Sequence, residues 1–77
     1  MTLREVINES FGDCSLVPGT YDIGFINTDR GYEREDETEF DIQNTRELLA
    51  LWIIFCQENG FDTNSVEYVR YVDRTEY

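Results

Sequence analysis

The sequence contains no histidine and no lysine; its only basic residues are six arginines, Arg4, Arg30, Arg34, Arg46, Arg70 and Arg74. Without histidine the chain lacks the usual general base at neutral pH and the commonest zinc ligand. Its two cysteines, Cys14 and Cys56, stand too far apart for a zinc knuckle or a Cys-x-x-Cys redox pair, and read as reduced, mostly buried thiols. Cys14 has no histidine to activate it as a nucleophile. The longest apolar run, Leu48 to Cys56, is nine residues, far short of the roughly 20 that span a bilayer. There is no GxGxxG, P-loop or nucleophile elbow, and the window from Asp36 to Glu47 lacks the central glycine of a calcium loop. Paired carboxylates are plentiful, but closeness in sequence creates neither a pocket nor a shifted pKa. These absences predict no enzyme, no metal and no cofactor, and leave partner binding as the expected activity.

What is present fits one small domain spanning residues 1–77. With 40% hydrophobic and 14% aromatic residues the chain is too apolar for a disordered tail. Seventeen acids against six bases give a net charge of −11. Such a charge repels nucleic acid and anionic membrane and steers the protein toward basic partners. The opening Met1–Glu5 leads into a polar amphipathic stretch rather than a signal peptide, so a cytoplasmic location is expected, that of the host cell if the gene is phage-encoded.

Local patterns predict five elements. Thr2 with Glu5 reads as a capping box, followed by Leu3, Val6, Ile7 and Phe11 on one helical face, giving a helix over about residues 3–10 that Gly12 stops. Pro18-Gly19 marks a type II turn. Tyr21, Ile23 and Phe25 alternate as in a strand, Thr28 to Gly31 connects a hairpin, and Tyr32 to Ile42 forms a second strand with an irregular middle. Asn44 and Glu47 open a second helix that ends at Gly60. Ser65 to Asp73 reads as the last strand, with Val66, Tyr68 and Val72 on one side and Val69 and Tyr71 on the other. The expected class is α+β in the order α-β-β-α-β, with a three-stranded sheet ordered 2-1-3 and both helices on one face. The second helix is apolar on nearly every side, so it is either sandwiched internally or turned in part toward another molecule.

The densest feature is acidic. Glu33, Glu35, Glu37, Glu39 and Asp41 occupy every second position. In an extended strand they share one face at intervals of about 6.7 Å, while Tyr32, Arg34, Thr38, Phe40 and Ile42 are free to pack on the other. A regular carboxylate row imitates the anionic backbone that nucleic-acid-binding proteins grip with arginine and lysine. A solvated acidic edge that prevents edge-to-edge aggregation accounts for the same pattern. Asp29, Asp36 and Tyr32 lie in the same segment and complete the candidate partner-binding set with the five row acids. The tyrosine is included because Tyr is enriched at binding hot spots.

In size, charge and element order the chain resembles the small acidic anti-CRISPR and antirestriction inhibitors encoded by phages and mobile elements. The nearest likeness is to anti-CRISPR inhibitors of type II Cas nucleases. For Glu33, Glu35, Asp36, Glu37, Glu39 and Asp41 the resemblance implies a DNA-mimicking surface that blocks the groove reading the PAM duplex. The implied partner is a Cas nuclease or restriction enzyme. A second expectation, from a different class, is a small adaptor or assembly protein that dimerises through Leu48, Trp52 and Phe55.

Overall fold

The computed structural model describes residues 1–12 and 15–72. The readings placed on Cys14 and on Asp73 lie outside the described residues. Helix α1 spans Leu3–Phe11 and begins as its sequence implies. The Thr2 hydroxyl accepts from the Glu5 amide at 3.1 Å and the Glu5 carboxylate accepts from the Thr2 amide at 2.9 Å. The bond from the Thr2 amide, and after it a hydrogen bond with the Thr2 side chain, hold the Glu5 carboxyl below its ordinary pKa.

Strand β1 (Gly19–Asp29) and strand β2 (Tyr32–Ile42) form a long hairpin. Gly19 already belongs to β1 with φ 156°, so Pro18-Gly19 opens the strand instead of closing a type II turn. The hairpin connection is only Arg30-Gly31, with φ 53° and 84°. Two consecutive left-handed residues match the twist of tightly joined strands. Pairing of β2 with β1 runs without interruption from Gly19↔Ile42 to Asp29↔Tyr32, so the expected irregularity in β2 is absent.

Helix α2 (Thr45–Asn59) is capped by Asn44 and ends at a left-handed Gly60. Strand β3 (Val66–Val72) pairs antiparallel to β1, giving the order β2-β1-β3. The one register shift falls between Gly24 and Phe25, where β3 bulges at Glu67. The bulge moves Val66 to the side of Val69 and Tyr71, away from Tyr68. Strict alternation had grouped Val66 with Tyr68 and Val72, and it could not detect the extra residue.

The core lies between the sheet and the two helices. Tyr21, Ile23 and Phe25 of β1, Val66 and Val69 of β3, Leu3, Val6 and Ile7 of α1, and Leu48, Trp52 and Cys56 of α2 are all buried there. The Phe25 ring meets those of Trp52 (5.3 Å), Phe55 (5.8 Å) and Phe61 (5.1 Å). The Trp52 indole N–H donates to the Thr63 carbonyl at 3.1 Å.

A dimer seam through Leu48 and Trp52 is corrected by this packing. Their side chains are sealed in the chain's own core and Phe55 is half-buried among aromatics, because the sheet and α1 already cover that stripe of α2. The large apolar residues that α2 leaves outside are Ile53 and Ile54, 47% and 49% exposed. No helix among the described residues is long and apolar enough to cross a membrane.

Cys56 behaves as a core thiol. Burial, with a smaller contribution from the Asp62 charge, raises its pKa to about 11. In a Cys14→Ser background, iodoacetamide at pH 8 should therefore leave Cys56 unmodified in the folded protein and label it in denaturant. Rapid labelling of the native state would contradict the burial.

Candidate partner-binding site

Directly opposed residues of an antiparallel pair share a face of the sheet. The hairpin register sets Glu33 against Thr28, Glu35 against Ile26, Glu37 against Gly24, Glu39 against Asp22 and Asp41 against Thr20. All five row acids therefore lie on the face that the helices leave open. The opposite parity carries Phe40, which packs against Phe55 at 5.8 Å, and the buried Ile42.

Beyond Thr38 that parity no longer packs. β3 pairs with β1 only as far as Phe25, so the distal hairpin continues as a two-stranded arm. Tyr32 is 80% exposed there, and the Arg34 side chain is largely exposed too. The expectation that Tyr32 and Arg34 pack inward is corrected by the length of the hairpin, which outruns the helices.

Three of the eight candidate residues are not part of the row. Asp29 and Tyr32 oppose each other at the tip, on the helix side of the sheet, and Asp36 lies on that same side. Asp36 accepts from Asn27 Nδ2 at 3.4 Å, approaches Arg34 at 3.9 Å, and accepts the Glu37 amide at 2.9 Å.

The row itself is divided by a network that sequence reasoning missed. On the open face Arg70 of β3 contacts Asp22 at 2.9 Å and Glu37 at 3.3 Å. The Tyr68 hydroxyl donates to the same Glu37 carboxylate. This bond, more than any other influence, raises the Tyr68 pKa. Tyr68 reaches Glu37 by lying across Gly24, where an added Cβ would fall 2.0 Å from the ring. A glycine in mid-strand thus leaves room for an aromatic side chain from the neighbouring strand. The Arg70 guanidinium also stands 5.9 Å from the Tyr68 ring centre. The Asp22 side chain is only 8% exposed, so its charge rests on this single arginine. The one legible signal was Gly24 inside an otherwise regular strand.

The row acids consequently differ. Glu37 is held internally, and Asp41 accepts from the Thr20 hydroxyl. Glu33 and Glu35 are exposed, and their carboxylates form no hydrogen bond or ion pair with any described residue. Beside the bulge, Glu35, Asp36, Glu37 and Glu67 line a groove of about 400 Å³ together with Tyr68 and Phe25. Glu67 is therefore a site residue that the linear pattern did not reveal.

No family model, no curated protein and no solved structure matches the chain. Among the described residues no group of three or more His, Cys, Asp or Glu side chains is arranged to hold a metal ion.

Proposed function

We propose that this protein is a binding inhibitor of the anti-CRISPR or antirestriction type, which occupies the cationic nucleic-acid groove of a Cas nuclease or restriction enzyme. The observation that carries the reading is the hairpin register. It sets five carboxylates in line on an open sheet face, and Arg70 is the only guanidinium of the three strands on that face among the described residues. Neighbouring charges about 6.7 Å apart repel by about 0.6 kcal/mol in water. The repulsion along the row therefore opposes folding and is retained at a small cost. Arginines and lysines that normally hold phosphate are its natural complement. The groove beside Tyr68 accommodates one such cationic side chain among several carboxylates.

The test is a cleavage assay over a panel of purified Cas nucleases and restriction enzymes. Inhibition of at least one is expected to be competitive with duplex DNA and to weaken by about tenfold or more between low and physiological salt. Glu33→Gln/Glu35→Gln should abolish it without lowering thermal stability, because the substitutions relieve repulsion between two carboxylates that no described residue pairs. Inhibition that survives the double substitution, or that is indifferent to salt, rules out charge mimicry.

A further inference from the structure

The described arginines are not equivalent. Arg70 and Arg34 contact carboxylates of the hairpin. Arg4 of α1 and Arg46 of α2 form no ion pair with any described residue, in a chain that carries seventeen acids. Both line one groove of about 270 Å³ between the two helices. Among the described residues no carboxylate contributes to its lining. Asn8 and Ser15 add exposed polar side chains, and Ile7 and Leu49 supply the apolar remainder. Thr45 also lines the groove, and its hydroxyl already accepts the Leu16 amide at 2.8 Å, which leaves its proton available to donate. Two arginines lining one groove with no ion-pair partner among the described residues leave positive charge there for an anion to offset. The first turn of α2 adds a field of the same sign.

We propose that this groove binds a small phosphate monoester. Its donors come from three places: α1, Ser15 and the start of α2. That spread exceeds what the two oxygens of a carboxylate can use and suits the several oxygens of a phosphate, which arginine engages bidentately. A polynucleotide carries the same phosphate chemistry, but its charge opposes the net −11 of the protein. The site lies on the helix layer, on the far side of the sheet from the acidic row, and is independent of the mimicry reading.

The test is a two-dimensional amide NMR titration of the full chain with ribose 5-phosphate, acetate and an oligouridylate, at ionic strength fixed with sodium chloride. Ribose 5-phosphate should shift the amides of Ser15, Leu16, Thr45 and Arg46 saturably, with a Kd of about 1–10 mM. Acetate should bind about tenfold more weakly, and the oligouridylate no more tightly than the monoester. Arg4→Gln/Arg46→Gln should weaken binding at least about tenfold while leaving the spectrum of the sheet unchanged. Failure to saturate by about 50 mM, equal binding of acetate, or undiminished binding by the double variant would overturn the site. An oligouridylate that binds more tightly, and is lost in the same variant, would overturn the monoester assignment in favour of a nucleic-acid backbone.

Discussion

Trp52→Ala is expected to cost about 3–5 kcal/mol and to lower the melting temperature by roughly 15–30 °C. Trp52 is among the largest fully buried side chains, at 1% exposure, and contacts Phe25 and Phe55. Removing it opens a cavity between sheet and helix and leaves the Thr63 carbonyl without its indole donor. A domain of this length has a total stability of only about 4–12 kcal/mol, so the variant should be substantially unfolded under mild denaturant. Ile53→Ala and Ile54→Ala, one and two residues further along α2, should change stability by no more than about 0.5–1 kcal/mol, because both side chains are half exposed. Urea denaturation followed by circular dichroism separates the cases. Equal losses at Trp52 and Ile53 would mean that α2 packs with a different stripe inward.

Arg70→Met should destabilise clearly more than is usual for a substitution on an open face. The arginine is 62% exposed but its partner Asp22 only 8%, so the loss arises mainly from stranding a buried carboxylate rather than from a surface ion pair. Asp22→Asn combined with Arg70→Met should recover a large part of the loss, and a double-mutant cycle gives the coupling directly. Simple additivity would remove the argument. The same network predicts a response to high pH. The Tyr68 pKa is raised above its ordinary value of 10.0, chiefly by the hydrogen bond to Glu37. A raised folded pKa means that this contact stabilises fully below the unfolded value and fades as pH climbs through the folded one. Tyrosinate absorbance should show one tyrosine titrating later than in Glu37→Gln.

The row and the network have opposite relations to the sequence. Alternation at residues 33–41 was visible because side-chain direction in a strand has a period of two, whatever the strand pairs with. Whether Glu37 is free or engaged depends on β3, which lies about thirty residues further along the chain, as in its contact with Tyr68. Asp36 and Tyr32 were close in sequence to the row but fell on the other face, while Glu67 was distant and came close through the bulge. The groove formed by Arg4 and Arg46 had no linear signature at all, since its two arginines belong to different helices.

By itself the sequence determined the five elements, their caps, the hairpin and the strand order, because capping, glycine stops and hydrophobic period act over a few residues. It also determined that five carboxylates share a side. Tertiary structure alone decided which stripe of α2 is buried, where β3 bulges, and which charges are compensated. Burial and ion pairing are properties of two surfaces meeting, and no local pattern records which surfaces meet.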